Sequence, residues 1–432
     1  MWWMLACRDP VEPATGALAF DGGAPRNLLM ISIDTLRRDH VDRYATDGVT
    51  RMEFLSARLA EGVALDDHQQ CANWTFHSVT CTLLGRQVEE LGWVAKLAGD
   101  GPSPLPGERP MLARRLRDAG FRTALASPMS WIASEWNNTQ GYTLDLPSGV
   151  DTLSVVRGGT EGLRESLDAE PADRWFLHLH VSEPHATYSP PEAYRDELDA
   201  LPPAPWDLDD HDTHYDVTKD QWPSMTPEEQ ALLEKHLRVR YTGETRWLDD
   251  ELETAWAELD AGGWLDDTLV VFWTDHGEQF WEHGAQTHAY GLNAEENDGI
   301  AGFWARGLAP VAWGGPTHAI DLAPTILDAL GLPVPADGTL PGAVVGTAPA
   351  DRPRFTSTAA RWGPAAAVTV DGLKLVYAFD GTLRAFDRRV DRAERTDVYD
   401  AQDPRFDALW AELRPRAELL AGAIPEVEPT WP

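Results

Sequence analysis

The sequence predicts an α/β fold, with a doubly wound, mostly parallel sheet flanked by helices and a small C-terminal antiparallel sheet plus one helix. Two observations carry this prediction. Continuous apolar runs recur between residues 27 and 275 with helical patterns between them, as is typical of parallel strands that are buried on both faces. After about residue 335 the pattern changes to short alternating runs, which favour antiparallel strands.

Four apolar runs each predict a buried strand: "NLLMISID" (27–34), "FRTALAS" (121–127), "WFLHLHV" (175–181) and "TLVVFWTD" (268–275). The first run ends in Asp34, and the fourth ends in Asp275, which His276 follows. Functional groups gather at the carboxyl ends of the strands in a doubly wound sheet. We therefore expect these polar side chains at the edge of the sheet that carries the site.

Two further segments predict helices. The residues that follow Thr75, "FHSVTCTLLGR", have helical spacing, which places Thr75 at a helix N-terminus. Residues 244–263 put apolar side chains on one helical face and end at paired glycines. This second helix leads into the strand predicted over 268–275.

The chain divides into a leader over residues 1–25, a main domain over 26–335 and a small α+β subdomain over 336–432. The alternating runs "AAAVTV", "LKLVYAF" and "LRAFD" and the terminal helical pattern "PRFDALWAELRPRAELLAG" support the subdomain. Within the main domain, residues 192–230 are a Pro-, Asp- and Trp-rich insertion without a clear period. Its Asp/His cluster could bind a cation, or the segment could be a solvated loop near the mouth of the site.

Composition narrows the classes of partner. The 432 residues carry 70 acidic and 36 basic side chains, which gives a formal net charge of −34. Long-range repulsion disfavours binding to nucleic acid or to anionic lipid. No stretch reaches the roughly 18 apolar residues of a membrane span, so we predict no transmembrane segment.

The three cysteines raise the questions of export and of disulfide bonding. The start of the sequence, "MWWMLAC", resembles the end of a lipoprotein signal, in which a short apolar run precedes an acylated cysteine, here Cys7. It has no basic region, so either the true start lies upstream or the similarity is chance. A lipid anchor would accompany export to the periplasm or cell surface, and a cytoplasmic protein is the alternative. Cys71 and Cys81 could pair, or they could be small buried hydrophobic residues.

Four residues together indicate a metal-activated nucleophile. A threonine hydroxyl has too high a pKa to attack at neutral pH, and coordination to a divalent cation removes this obstacle. Three oxygens and one nitrogen would come from Asp34, Thr75, Asp275 and His276. A helix N-terminus at Thr75 would also favour an anionic ester, because its free N–H groups point towards the ligand.

Six motifs follow one another along residues 27 to about 335: "NLLMISIDTLRRDH", "NWTFHS" followed by "LLGR", "HLHVSEPHATYSPP", "YTGETRWLDDEL", "VVFWTDHGEQFWEHG" and "IDLAPTILDALGLP". In this order they resemble the sulfatase family within the alkaline phosphatase superfamily, and "DGLKLVYAFDGTLRAFD" in the tail is similar to a lesser degree. The resemblance implies that residues 26–335 form the catalytic domain of an ester hydrolase that uses a divalent metal.

The resemblance also implies roles for individual residues. Asp34 resembles the metal ligand that closes the first strand, and Asp275 with His276 resembles the ligand pair of the "TDHG" motif. Thr75 falls at the position of the nucleophile, eleven residues before the Arg of the "GR" pair.

On the leaving-group side, the resemblance implies roles for histidines. His185, in "EPHATY", resembles the histidine that contacts the leaving side of the substrate. His288 falls where relatives carry a Lys or His that helps to protonate the leaving group, and His283 belongs to the same segment.

Three positions depart from the pattern of true sulfatases. Those enzymes oxidise a Cys or Ser to formylglycine within the pattern C/S-x-P-S-R, whereas this chain has Thr75 at the nucleophile position and Val79 at the Arg position. Threonine cannot become the aldehyde hydrate, and His77 could replace the missing charge or could be a core histidine. Thr35 stands where many sulfatases have a second Asp. Loss of that hard ligand favours Mn²⁺ or Zn²⁺ over Ca²⁺ or Mg²⁺, in a site for one or two ions.

A threonine nucleophile resembles the phosphodiesterases, phosphonate hydrolases and phospho-group transferases of the superfamily. The expectation is therefore a metal-dependent hydrolase that acts through a covalent Thr75 intermediate on phosphate esters, with phosphodiesters or phosphonate esters preferred and sulfate esters as an alternative. The substrate would be a small-molecule or a glycan- or lipid-linked anionic ester. A phospho-alcohol transferase, or a non-catalytic protein that binds a metal or an anion, is also consistent with these residues.

Overall fold

A computed structural model describes residues 18–96, 102–361 and 363–432 of the chain. Its strands in chain order are β1 (Asn27–Ile33), β2 (Val63–Gln69), β3 (Arg122–Ala126), β4 (Leu144–Leu146), β5 (Trp175–Val181), β6 (Thr268–Thr274), β7 (Gln279–Phe280), β8 (Gln286–Thr287), β9 (Ala301–Trp304), β10 (Val311–His318), β11 (Arg354–Ala360), β12 (Gly363–Val370), β13 (Leu373–Ala378) and β14 (Leu383–Asp387). The four strands that the apolar runs predict correspond to β1, β3, β5 and β6.

The central sheet has eight strands in the order β10-β2-β9-β6-β1-β5-β3-β4. β9 runs antiparallel to β2 and β6, and the remaining neighbours pair in parallel. The sequence prediction of a mostly parallel sheet is confirmed. β1 lies between β5 and β6, so the carboxyl ends of three parallel strands meet at the middle of one edge.

The helices in chain order are α1 (Glu53–Glu61), α2 (Thr75–Leu84), α3 (Leu112–Asp118), α4 (Thr152–Ala169), α5 (Asp196–Asp199), α6 (His211–Tyr215), α7 (Pro227–Ala261), α8 (Ala294–Asn297), α9 (Leu322–Ala329) and α10 (Pro404–Ala423). Successive residues of β1 pack into different cores. Leu28 and Met30 join the cluster formed with α2, α3 and α9, whereas Leu29 and Ile31 join the cluster formed with α1, α4 and α7. Burial on both faces explains why the run is continuously apolar.

The helix predicted over 244–263 is the second half of the longer helix α7. α7 begins after Thr226, whose side chain forms a capping box with Glu229. The first turns of α7 pack through Leu233 and Leu237 into a small separate cluster rather than onto the sheet. The insertion predicted over 192–230 contains α5, α6 and the start of α7, so it is more ordered than a solvated loop.

The C-terminal sheet has the order β11-β12-β13-β14 and is antiparallel throughout. α10 packs on this sheet, which confirms the predicted antiparallel sheet plus helix; β11 was not predicted. The sheet is joined to the main domain by buried ion pairs, among them Arg388 with Asp298. The domain boundaries at residues 25 and 335 stay predictions, and Cys7 lies outside the described residues.

Cys71 and Cys81 form a disulfide that joins the loop before α2 to the helix itself. Of the two possibilities for these cysteines, the structure therefore has the paired one. None of the described helices combines the length and the apolar surface that a bilayer-spanning helix requires.

Candidate active site

Two aspartates lie side by side at the carboxyl edge of the sheet. β1 and β6 are neighbouring parallel strands in which Ile33 lies opposite Thr274. The residues that follow, Asp34 and Asp275, are therefore brought together, and both are fully buried. Two neighbouring carboxylates that are both buried away from water require a compensating positive charge.

Thr75 and His276 complete the ligand set that the sequence predicts. Thr75 is the first residue of α2, and its Oγ1 lies 3.2 Å from Nε2 of His276. The same Nε2 lies 3.4 Å from Oδ1 of Asp34 and 3.5 Å from Oδ2 of Asp275. Ser78, one turn along α2, donates a hydrogen bond to the backbone carbonyl of Asp275 and fixes the helix against the end of β6. The structure thus brings all four predicted ligand residues together.

His180 joins this group and was not predicted. β5 pairs with β1 so that His180 lies opposite Ser32, and Nε2 of His180 lies 3.6 Å from Oδ2 of Asp34. Ligand atoms of Asp34, His180 and Asp275 all lie within 4.8 Å of one another. The signal in the sequence was the buried run "WFLHLHV", whose two histidines occupy alternate positions and so share one face of the sheet.

A chain of hydrogen bonds behind His180 sets the nitrogen that it presents. A neutral His180 with a free Nε2 lone pair carries its proton on Nδ1 and donates it to Oγ of Ser32, at 2.8 Å. The Ser32 hydroxyl can then donate to Nε2 of His178, at 2.8 Å. Nδ1 of His178 in turn donates to the Tyr142 oxygen, at 2.7 Å. In this arrangement each of the three contacts pairs one donor with one acceptor, and His180 directs its lone pair towards the aspartates.

The buried oxygen and nitrogen acceptors of this cluster outnumber the hydrogen-bond donors that could satisfy them. Both oxygens of Asp34, Oδ2 of Asp275 and Nε2 of His180 are buried without a hydrogen-bond partner among the described residues. Burial raises the pKa of Asp275 well above its usual value, and the negative charge of Asp34 adds to this. Burial acts in the same direction on Asp34, but the neighbouring histidines, His180 first, hold its pKa below the usual value.

These buried lone pairs fit a divalent cation. Buried acceptors without donors are costly, and a metal ion satisfies them. Burial lowers the pKa of His276 to about 4, so its ring is neutral and Nε2 is free to bind a metal. Within the described ranges, Asp34, His180 and Asp275 form the one cluster of metal-binding groups of this kind, and the Asp/His residues of the insertion do not form another.

Two more predicted histidines lie beside the cluster. The ring of His288 lies 4.4 Å from that of His276 and 5.2 Å from that of His185, between ring centres. Nδ1 of His288 lies 3.1 Å from Oε1 of Glu278, which leaves Nε2 for a ligand. Burial, together with the nearby His276, lowers the pKa of His288 well below its usual value. Burial raises the pKa of Glu278 to about 8. Sequence reasoning missed Glu278, although it directly follows the "TDHG" motif.

His283 and His77 lie apart from this group. Nε2 of His283 lies 2.9 Å from a carboxylate oxygen of Glu295 and 3.2 Å from the guanidinium of Arg395, so its catalytic role stays a prediction. His77 is buried within α2, and burial lowers its pKa to about 3. True sulfatases have a positively charged Arg at the position of Val79, which here is a core residue. A neutral His77 does not replace that charge.

Comparison with known proteins agrees with this architecture. The chain matches the sequence profile of the Sulfatase family over residues 26–332. The structure is similar to phosphonate monoester hydrolase from Silicibacter pomeroyi, with 21% identity, 93% of this chain and 95% of that chain covered, and a TM-score of 0.65. It is also similar to a 2-O GAG sulfatase, with 16% identity, 94% and 92% coverage, and a TM-score of 0.66.

A third similar structure was solved in complex with its substrate, D-glucosamine-2-N,6-O-disulfate. It has 16% identity, 94% of this chain and 99% of that chain covered, and a TM-score of 0.67. At these identities the structural matches show a shared fold.

Proposed function

The chain belongs to the sulfatase family and is an ester hydrolase, and we propose that it cleaves phosphate esters, phosphodiesters or phosphonate esters above all, through a covalent intermediate on Thr75. One observation carries this proposal. The hydroxyl at the start of α2, 3.2 Å from His276 and beside two buried aspartates, belongs to a threonine. Threonine cannot be oxidised to the formylglycine of true sulfatases, so its own oxygen is the available nucleophile.

We propose that the residues predicted to bind a metal hold one or two divalent cations: Asp34, Thr75, Asp275 and His276, with His180 as a further donor. Their histidine nitrogens favour Mn²⁺ or Zn²⁺ over Ca²⁺ or Mg²⁺. When bound, such a cation lowers the pKa of a coordinated hydroxyl and offsets negative charge on the ester.

In the first step, Oγ1 of Thr75 attacks phosphorus. Oγ1 enters this step as an alkoxide, its proton having passed to solvent. The bond from Oγ1 to phosphorus forms while the bond from phosphorus to the alcohol oxygen breaks. Nε2 of His288, with His185 beside it, donates the proton that the alcohol takes away, and Nδ1 of His288 takes the proton of Glu278, whose pKa is raised to about 8. The start of α2 orients free N–H groups towards the anionic ester.

In the second step, a water molecule returns one proton to Nε2 of His288, and Nδ1 of His288 returns its proton to Glu278. The water oxygen attacks phosphorus while the bond to Oγ1 breaks, so that Thr75 leaves as the alkoxide with which the cycle began.

Three alternatives keep the same site. A sulfate ester has a similar shape and charge, and one structural neighbour has a disulfated sugar as its substrate. A transferase would use a second alcohol in place of water. A non-catalytic protein would bind the anion without turnover, and Val79 at the position of the family's Arg is the feature that favours it.

Replacement of the nucleophile tests the proposal. Thr75→Ala should lower kcat by roughly four powers of ten, and Thr75→Ser should keep measurable activity, because the hydroxyl survives. Thr80→Ala is the matched control, since Thr80 is another buried threonine of α2 whose hydroxyl has no partner among the described residues. Rapid quench with a labelled phosphodiester should trap the label on the Thr75 peptide. A label on Ser78 or His77 would contradict the assignment.

Matched chromogenic esters separate the alternatives. A purified protein loaded with Mn²⁺ should turn over a phosphodiester or a phosphonate ester faster than a phosphate monoester or a sulfate ester. A sulfate ester that is turned over faster than the diester would overturn the substrate assignment. If the label accumulates on Thr75 and an added alcohol does not become labelled, the transferase is excluded.

A further inference from the structure

Arg361 approaches the candidate active site from the C-terminal sheet. It directly follows β11, and its backbone N–H donates a hydrogen bond of 3.0 Å to the carbonyl of Ala289, the neighbour of His288. Its guanidinium carbon lies 5.2 Å from the ring centre of Tyr290 and 5.9 Å from that of Tyr215. Nη1 donates to the Tyr290 hydroxyl at 3.3 Å. Tyrosines on two sides therefore hold a half-buried cation beside the leaving-group histidine.

Arg361 has no carboxylate within 4.0 Å among the described residues. Glu278 acts on Arg361 electrostatically from beyond this distance. Three other arginines around the site are paired with a carboxylate at 2.7 Å or less: Arg37 with Asp39, Arg240 with Asp209 and Arg395 with Glu295. A guanidinium that is partly desolvated and has no carboxylate in direct contact is available to bind an anion.

The position of Arg361 indicates which part of a substrate it would meet. Its positive charge contributes to the lowered pKa of His288. The Tyr215 side chain, from α6 of the insertion, contacts both Arg361 and Thr287. Together with the hydrogen bond from the Arg361 N–H to the carbonyl of Ala289, these contacts place Arg361 on the His288 side of the site.

We propose that Arg361 binds a second negatively charged group on the alcohol part of the ester. The substrate class is then an ester whose leaving alcohol is itself acidic, through a carboxylate, sulfate or phosphate group. The planar guanidinium can donate two parallel hydrogen bonds to such a group, and the faces of Tyr215 and Tyr290 can pack against the ring that carries it. This inference rests on the proposed function, because that function identifies His288 as the leaving-group side.

A binding measurement tests Arg361 independently of turnover. The probes are two phenyl phosphodiesters, one of meta-hydroxybenzoate and one of meta-hydroxybenzamide, which differ in one negative charge. Calorimetric titration of the Thr75→Ala protein loaded with Mn²⁺ should give a Kd for the carboxylate ester that is roughly ten- to a hundredfold lower than for the amide ester. Arg361→Gln in the same background should abolish this preference, and Arg361→Lys should keep part of it.

Arg164→Gln is the control, because Arg164 also lies over an aromatic ring, at 4.8 Å from that of Trp264, and has no carboxylate within 4.0 Å among the described residues. It should leave the preference unchanged. The inference is overturned if the Arg361→Gln protein still prefers the carboxylate ester, or if neither ester binds. If the protein turns over sulfate esters faster than phosphodiesters and still binds the carboxylate ester more tightly in an Arg361-dependent way, only the proposed function is overturned. Thermal midpoints of the variants show whether a loss of binding reflects a loss of folding.

Discussion

Ser32 carries one hydroxyl between two buried histidines, and its hydrogen bonds decide which nitrogen His180 presents to the aspartates. A ligand that is free to rotate binds a metal less tightly than one that is held in place, because binding must then also order it. The residue that positions the ligand therefore contributes to metal affinity although it does not touch the metal.

We predict that Ser32→Ala lowers the affinity for Mn²⁺ by roughly ten- to a hundredfold, because His180 loses the acceptor for its Nδ1 proton. Isothermal titration with Mn²⁺ measures the change. Tyr142→Phe removes only the far end of the hydrogen-bonded chain and should have a smaller effect. Equal affinities for the wild type and a folded Ser32→Ala protein would exclude His180 as a ligand.

The contribution of His288 to the rate should depend on which alcohol leaves. Proton donation by a positioned side chain contributes roughly 100- to 10,000-fold in rate. We predict that His288→Ala loses activity of this order with alkyl esters and much less with nitrophenyl esters, whose leaving groups depart without protonation. The measurement is kcat/KM across a series of leaving groups.

His283→Ala is the control for His288, since the ring of His283 is paired with Glu295. It should change activity with all leaving groups by a similar factor. Equal losses on alkyl and nitrophenyl esters in His288→Ala would assign His288 a different task.

At the scale of one element, α2 is fixed against the sheet at several points. Its Ser78 bonds the carbonyl of Asp275, and the carbonyl of Asn73, just before the helix, accepts a hydrogen bond from the N–H of Ala289. The Cys71–Cys81 disulfide adds a covalent link across ten residues. These contacts place Thr75 relative to both the metal ligands and the leaving-group histidines.

We predict that the double variant Cys71→Ala/Cys81→Ala lowers the free energy of unfolding by about 2–3 kcal/mol, because the unfolded chain regains the freedom of a short loop. Denaturant unfolding with and without reductant measures this. The reductant should destabilise the wild type and leave the variant unchanged. A variant as stable as the oxidised wild type would show that the crosslink adds nothing to the packing of α2.

At the scale of the whole molecule, the C-terminal sheet reaches the site from the side. Ser357 of β11 donates its backbone N–H to the carbonyl of Cys71, and its hydroxyl lies 3.3 Å from the carboxyl group of Glu89. Arg416 of α10 is paired with Glu90. The sheet that carries Arg361 is thereby joined to the segment that follows α2.

Glu89 makes this junction sensitive to pH. Burial raises its pKa from 4.5 to about 7. Between these values the folded state keeps a proton that the unfolded state releases, so the free energy of unfolding falls as pH rises through this window and is constant above it. We predict that Glu89→Gln removes this decrease, which is roughly 3 kcal/mol for a shift of this size.

Thermal midpoints at about pH 5 and about pH 8 test this prediction, and the advantage of Glu89→Gln over the wild type should grow with pH. Glu90→Gln should be less stable than the wild type by an amount that is the same at both pH values, because the contribution of the charged Glu90 is complete above its unfolded pKa of 4.5 and is lost only at lower pH. Burial acts to raise the pKa of Glu90, but its bonds to Arg416 and Arg86 lower it, so the charged form stabilises the fold. A Glu89→Gln advantage that does not change with pH would contradict the assignment.

The sequence by itself determined the strands that end in Asp34 and Asp275 and the helix that starts at Thr75. Each depends on a local pattern: a run buried on both faces must be apolar throughout, and the first polar residue after it marks the carboxyl edge. The order of these elements, with the motifs they carry, was sufficient for the family and for the ester hydrolase class.

Only the tertiary structure decided what stands around these residues. His180 reaches Asp34 because β5 pairs with β1 in a register that puts it opposite Ser32, and no local pattern encodes a pairing between segments that are 148 residues apart. Arg361 reaches the leaving-group side because a separate sheet docks there. The sequence allowed two interpretations of His77, and burial within α2 left its ring neutral. Periodicity along a chain reports which faces are buried, whereas the side chains that meet in a site are chosen by long-range packing.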